Sequence, residues 1–270
     1  MSGVKRTSPG AEEQKNPLAL TLSDDDGLKL ENAQKAIARV ELKIQRIAEV
    51  QLVAAYEARR AITKTIPKFW AIALMNHTIF GISCQHNADQ QAISYLEDVR
   101  VDRDPKEPRC FTLEFHFKEN PYFTDSVLKK EYKYTPPTAS ADDKPDEDGI
   151  TDAMLDFSWG RDVVASKMPI SWKDPAKALT KLYPAQGGGD NDDDDDDATD
   201  TGSFFNFFET TDDPLELGNS IANEVYPEAI DFFLGNTGDD GEIDSDEEDD
   251  DDDDAEEIDL EKPKPKKQKV

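Results

Sequence analysis

Residues 30–64, read in sevens, are LENAQKA, IARVELK, IQRIAEV, QLVAAYE and ARRAITK. The first place of each block holds Leu30, Ile37, Ile44, Gln51 and Ala58; the fourth holds Ala33, Val40, Ile47, Ala54 and Ala61. Steps of three and four put these residues on one stripe of an α-helix, and no Pro or Gly interrupts them. The stretch therefore predicts a coiled-coil seam on the order of 50 Å long. Upstream, Ser23 before Asp24, Asp25 and Asp26 supplies an N-cap with acids in the first turn, where the helix dipole favours them. Downstream, the residue before Pro67 is pushed out of the helical region, which ends the helix near Thr65. Such a helix could fold back on its own domain, but a narrow stripe far from a core has little of its own chain to meet. Pairing with a second copy is expected instead, through Leu30, Ala33, Ile37, Val40, Ile44, Ile47, Gln51, Ala54 and Ala58, with polar Gln51 fixing the register.

Outward from this helix the pattern changes twice. Pro67 can open a short helix with Phe69, Trp70, Ala73 and Leu74 on one face, and a second is expected from Asp89 to Glu97, packing Ile93 and Leu96. Then Phe111, Leu113, Phe115 and Phe117 alternate with Thr112, Glu114, His116 and Lys118, the mark of an antiparallel strand with one buried face. Glu119-Asn120-Pro121-Tyr122 supplies the turn, and Leu128, Tyr132 and Tyr134 alternate on the way back. Val99 and Val101 before this pair, and Leu155, Phe157 and Trp159 after it, extend the expectation to a sheet of about four strands. Residues 135–149 read as a loop, and Pro175 to Tyr183 as a helix. Phe204, Phe205, Phe207 and Phe208, then Leu215, Leu217, Ile221, Val225, Ile230, Phe232 and Phe233, predict C-terminal helices covering the sheet. The class is α+β. The expected organisation is a disordered tail over 1–22, the dimerisation helix over 23–66 and an α+β domain over 67–235. A flexible acidic insertion over 186–202 interrupts that domain, and a disordered acidic tail over 236–270 ends in lysines.

Charge narrows the function. With 31 Lys plus Arg against 60 Asp plus Glu, the formal charge is −29, which argues against direct binding to DNA and for a basic partner. The two cysteines, Cys84 and Cys110, are too few for a disulfide framework. The first residues lack the apolar core of a signal peptide, and nowhere do about 18 apolar residues run together, so a soluble intracellular protein is expected, with no membrane partner. Nucleotide-binding, metalloprotease and hydrolase motifs are absent. His77, His86 and His116 read as structural or exposed, and Cys84 near His86 lacks a third metal ligand. The stretch Asn236 to Glu247 has Asp240, Gly241 and Glu247 at calcium-loop positions but Gly238 where a ligand belongs. No enzyme activity, cofactor or metal is expected. Ser245, with Glu248 three residues on, would suit an acid-directed kinase that deepens the negative charge.

Several stretches together resemble one family: Ile66-Pro67-Lys68-Phe69-Trp70 with Asn76-His77, then Tyr95-Leu96, Phe115-His116-Phe117, Glu119-Asn120-Pro121-Tyr122-Phe123 and Leu128-Lys129-Lys130-Glu131. Phe157-Ser158-Trp159, Gly160-Arg161-Asp162, Ser203 to Phe208 and Glu224-Val225-Tyr226-Pro227 follow in order. Over about residues 25–235 the chain is similar to the nucleosome assembly protein family, particularly its SET or template-activating-factor branch. The resemblance implies a headphone-shaped homodimer whose paired long helices carry α+β "earmuff" domains, and a chaperone that binds core histones without ATP. The histones would be the H3–H4 pair, the other core pair, or both. By position, Glu209, Asp212, Asp213, Glu216, Glu224, Glu228 and Asp231 are the candidate histone contacts, joined by Asp249, Asp250, Asp251, Asp252, Asp253 and Asp254 of the tail. Lys262, Lys264, Lys266, Lys267 and Lys269 resemble a nuclear import signal, with neutralisation of the neighbouring acids as the lesser alternative; the expected location is the nucleus, with shuttling to the cytoplasm. The aspartate-rich tract after Gly189 departs from the family pattern. The short chain and basic end also resemble the fungal member that escorts a histone H3 lysine acetyltransferase. The alternative function is thus a regulatory adaptor of such an acetyltransferase, or a phosphatase inhibitor like relatives of the SET branch.

Overall fold

The computed structural model describes residues 22–135, 143–185 and 202–237. The chain divides after Asn236, and of the second unit, Thr237–Val270, only Thr237 is among the described residues. Helix α1 runs Asp24–Thr63, 40 residues, or about 60 Å at 1.5 Å per residue. Its cap forms as the sequence requires: the Ser23 hydroxyl accepts from the Asp26 N–H at 3.1 Å and donates to the Asp26 carboxylate at 2.7 Å. Three short helices follow, α2 (Phe69–Met75), α3 (Thr78–Ser83) and α4 (Asn87–Ile93). The expected helix from Asp89 to Glu97 is thus corrected. It stops at Ile93, and Leu96 instead opens a strand opposite Phe117, so Ile93 and Leu96 are both buried but on different elements. Helix α3 has no counterpart in the sequence reading; six residues including Gly81 give too little periodicity to see.

The sheet is antiparallel in the order β1 (Leu96–Arg103), β2 (Phe111–Phe117), β3 (Val127–Tyr134), β4 (Val163–Ala165). On β2 the odd residues are buried and the even ones half exposed, the alternation of a strand with one wet face. The turn into β3 is set by Asn120, whose Oδ1 accepts from the N–H of Tyr122 at 2.9 Å and of Phe123 at 3.1 Å. The fourth strand is not where Leu155, Phe157 and Trp159 placed it. Thr151 caps a single turn, α5 (Asp152–Leu155), and a second turn, α6 (Trp159–Asp162), precedes β4. The three apolar residues pack in different directions: Leu155 on Leu42 of α1, Phe157 on Tyr134, and Trp159 on Phe111 and Tyr132. Alternation in the sequence therefore did not mark a strand face.

The expected helix over Pro175 to Tyr183 splits into a 3₁₀ turn (Pro175–Lys177) and α7 (Leu179–Leu182). After Gly202 come α8 (Asn206–Glu209), α9 (Leu217–Ser220), a π-turn (Ile221–Val225) and α10 (Ala229–Leu234). Gly202, at φ +68°, lies so close to Tyr183 that a Cβ would sit 2.6 Å from its carbonyl oxygen, and no side chain fits. The buried Asp89 carboxylate then accepts from the Ser203 hydroxyl at 2.7 Å and the Phe204 N–H at 2.9 Å. This staple swings Phe204, Phe205 and Phe208 into the core beneath Phe115 and Phe123. Each such ring contributes about 1.5–3 kcal/mol by burial. Leu217, Ile221, Val225, Ala229 and Phe232 close the same core; Ile230, expected to join them, is exposed.

Candidate functional site

Helix α1 has two faces of different use. Leu42, Glu49, Tyr56 and Thr63, seven apart, lie on one face with Arg39, Arg46 and Arg60, and this face meets the helix's own domain. Leu42 packs on Ile150 and Leu155, and Arg39 and Lys43 pair with Asp146 and Asp148. Arg46 donates to the carbonyls of Lys106 at 2.8 Å and Asp148 at 2.7 Å. Further along, Glu49 pairs with Arg103 at 3.1 Å, Glu57 with Arg100 at 3.3 Å and Arg60 with Asp98 at 2.5 Å. The helix therefore does find its own chain, but through the side opposite the heptad row. Leu30, Ala33, Ile37, Val40, Ile44, Ile47, Gln51, Ala54 and Ala58 are all exposed; Ile37, Val40, Ile44 and Ile47 keep between 52% and 65% of their surface in water. A continuous apolar stripe of that kind marks an interaction surface.

The C-terminal acids divide. Glu209 accepts from the Ile170 N–H at 3.2 Å and the Trp172 indole N–H at 3.1 Å. Asp213 accepts from the Tyr132 hydroxyl at 2.5 Å and from the N–H groups of Leu217 at 2.8 Å and Gly218 at 2.9 Å, capping α9. Both carboxylates hold the fold together. Asp212, Glu216, Glu224, Glu228 and Asp231 point outward; Glu224 alone of these faces a histidine, His77 Nε2 at 3.3 Å. Glu216 is presented from a left-handed backbone, φ +50°.

Behind this surface stand cations that the sequence reading passed over. Lys130 lies on the core side of β3, between Leu128 and Tyr132, and is fully buried. Its ammonium donates to the Thr210 carbonyl at 2.6 Å and sits 5.1 Å from the Phe207 ring. Burial pulls its pKa down to about 8, against the opposing pull of Asp213 and Asp212. Arg59 of α1 lies among Tyr56, Trp70 and Tyr226, 4.7, 5.6 and 4.6 Å from the ring centres. It donates to the carbonyls of Tyr226 at 2.5 Å and Pro227 at 3.0 Å. Gly218 is required where Tyr132 crosses it, since a Cβ would come within 1.9 Å of the Tyr132 oxygen. A single cation in an apolar alternation, such as Lys130, was the only sequence signal for these contacts.

A long capped helix, an antiparallel sheet and short acidic helices closing over it form one pattern, and comparison with known proteins places it. The family model described as Nucleosome assembly protein (NAP) matches residues 29–236. The chain belongs to the nucleosome assembly protein family. Among its relatives, Protein SET of Drosophila melanogaster is 28% identical over 213 residues, 76% of this chain and 67% of that protein. Nucleosome assembly protein 1-like 1 of Xenopus tropicalis is 28% identical over 208 residues, 68% of this chain and 49% of that protein; the chain spans about half the length of such relatives. Among solved structures, Ccp1 superposes with a TM-score of 0.58 at 22% identity, covering 79% of this chain and 96% of that one. The Vps75 histone chaperone gives 0.51 at 17% identity, covering 78% and 97%. At those identities the structures speak for the fold.

Within this nucleosome assembly protein fold, Cys84, Cys110 and His77 are buried, and His86 and His116 are half-buried. Cys84 is fully buried, and burial raises its thiol far above the usual range; Cys110 is pushed up to about 12 by the same cause. Neither favours a thiolate at neutral pH. His77 is buried against Phe232, His86 stacks on Tyr183 at 4.0 Å, and His116 pairs with Glu114 at 3.2 Å. No helix among the described residues is long and apolar enough to cross a membrane. The tail acids Asp249 to Asp254, the lysines from Lys262 to Lys269, Ser245, the calcium-like stretch beyond Thr237 and the aspartate tract after Gly189 lie outside the described residues.

Proposed function

We propose that the protein is a histone chaperone: a homodimer joined along the α1 seam, whose acidic faces hold the Lys and Arg side chains of core histones and release them to DNA without ATP. The observation that carries this reading is the two-faced helix, clamped to its own domain on one side and apolar and exposed on the other. A second copy satisfies the seam and sets two acidic surfaces on one scaffold. Asp212, Glu216, Glu224, Glu228 and Asp231 supply fixed carboxylates, and Asp249 to Asp254 add charge from the tail. With −29 per chain, such a dimer competes with DNA for histone cations. Histones that collapse onto DNA do so largely through counterion release, and a chaperone that outcompetes weak contacts yet loses to the complete nucleosome needs no covalent step. Exposed charges are screened beyond about 8 Å at physiological salt, so capture is fast and salt-sensitive. The lysines from Lys262 to Lys269 address the protein to the nucleus.

Sedimentation of the full chain, alone and with each core histone pair at low and high salt, tests the proposal. A dimer that binds histones at low salt and releases them at high salt is expected; a monomer that ignores both pairs in dilute buffer would sink it. Removing residues 239–270 should weaken histone binding and keep the fold. If the shortened protein instead stimulates an acetyltransferase or inhibits a phosphatase, the adaptor reading takes its place.

A further inference from the structure

Helix α10 turns two ridges of opposite chemistry toward solvent. Its inner side is fixed by buried Ala229 and Phe232, and Phe233 stacks on Phe69 of α2 at 4.8 Å. On the outer side, Glu228 and Asp231 are three residues apart, and Glu224 joins them because the Glu228 N–H donates to the Glu224 carbonyl at 3.2 Å. Ile230 and Leu234, four residues apart, form the second ridge beside the first. They leave 50% and 61% of their surfaces exposed, and Ile72, one turn past Phe69, is also exposed. The ridges are held in place: Asn76 donates to the Phe232 carbonyl at 2.8 Å, and the His77 ring packs on Phe232 while reaching Glu224.

We infer that this face binds a folded basic surface in which apolar side chains stand beside Lys or Arg, as on an amphipathic histone helix, and that a flexible polybasic tail uses only its acidic ridge. The inference rests on the chaperone reading and specifies its partner. A surface meant only for charge gains nothing from two exposed aliphatic side chains, whereas a partner that covers them adds binding free energy that salt does not screen. Charge complementarity selects the occupant. A second copy of this chain carries the same excess of acid, −29 by formal charge, so it meets Glu224, Glu228 and Asp231 with net like charge. A basic partner pairs with the acids and buries the apolar ridge in one step.

The test uses the full-length protein and two probes, folded core-histone pairs and a polylysine peptide, titrated at low and high salt. The double substitution Ile230→Ser, Leu234→Ser should weaken the folded histones by about tenfold at both salts and leave polylysine unchanged. Glu224→Gln, Glu228→Gln, Asp231→Asn should weaken both probes, chiefly at low salt. Circular dichroism checks the fold, and Leu234→Ser alone, at the helix end, stands in if the double variant unfolds. Unchanged histone affinity in the serine variants overturns the inference, as does equal weakening of polylysine. Dissociation of the serine variant into monomers also overturns it and assigns the face to a second copy. If the unmodified protein binds neither histone pair, the chaperone reading itself fails, which is a different result from any of these.

Discussion

Along α1, Ile37, Ile44 and Ala58 share a fate because they share a place in the heptad, and all are exposed. Along the C-terminal run from Ser203 to Leu234, neighbours part company: Asp212 points to water while Asp213 caps α9 and takes the Tyr132 proton donor. The first region is governed by repetition, so one residue predicts the next. The second is governed by what each side chain meets across the sheet, and composition does not reveal it. An acidic surface is thus smaller than an acidic sequence, because some carboxylates are already engaged within the fold.

The largest expected effect breaks the repeating region. Ile44→Glu with Ile47→Glu places two charges in the seam without touching the opposite face, where Glu49 and Arg46 hold the domain. Each side chain contributes about 1.5–3 kcal/mol when buried, so the pair should shift a dimer to monomers by more than a hundredfold in dissociation constant, read by sedimentation equilibrium, with helical content retained. Loss of the fold as well would show that the two faces of α1 are not independent.

The same contrast explains which parts of the molecule could be read from residues alone. The long helix with its heptad row on one exposed face, the Ser23 cap, the β2 alternation and the Asn120 turn are local patterns, each set by spacing or by a side chain bonding its own backbone, and the structure has them where the sequence placed them. Leu155, Phe157 and Trp159 misled because a spacing of two puts side chains on one face only in a strand, and here two helical turns send the three to different partners. The inward face of α1 was invisible for another reason: Leu42 is its one buried aliphatic, and the Arg, Lys and Glu around it look like a solvated surface until Asp98, Arg103 and Asp148 come opposite them. At the acidic face, the Lys130 bond to Thr210 and the Tyr132 bond to Asp213 join residues about 80 positions apart, which no window along the chain contains.

Two substitutions at adjacent positions sharpen the second region. Asp213→Ala removes the acceptor of three hydrogen bonds and leaves a buried hydroxyl and the start of α9 unpaired. It should cost about 2–4 kcal/mol in urea unfolding, whereas Asp212→Ala should stay within about 0.5 kcal/mol. Equal effects would mean that the division of acids is wrong.

Lys130 offers a smaller, pH-resolved test. Its pKa is held down to about 8 in the fold by burial, below the ordinary lysine value that it regains on unfolding. Between those values the unfolded chain carries a proton that the native chain does not, so stability rises with pH across that window; below about 8 both forms are protonated and the cost of burying the charge is fully present. Relative to Lys130→Met, the unmodified protein should therefore gain about 2–3 kcal/mol on going from pH 7.5 to 10, measured by urea unfolding at each pH. Parallel curves would place the ammonium in water.

The smallest effect concerns the joint between the two regions. Arg59 belongs to α1, but its partners Tyr226 and Pro227 belong to the C-terminal run. Its guanidinium does two things at once, lying among aromatic rings and donating to two carbonyls through one planar group. A lysine keeps the charge near the rings but lacks the planar group whose Nη1 donates to both carbonyls. Arg59→Lys should thus cost about 1 kcal/mol and Arg59→Ala about 2, both in unfolding and neither in dimerisation, because position 59 lies off the seam. If Arg59→Lys matches the unmodified protein, the rings alone hold the joint. If it matches Arg59→Ala, the carbonyl bonds do, and the acidic run is tied to the helix by its backbone.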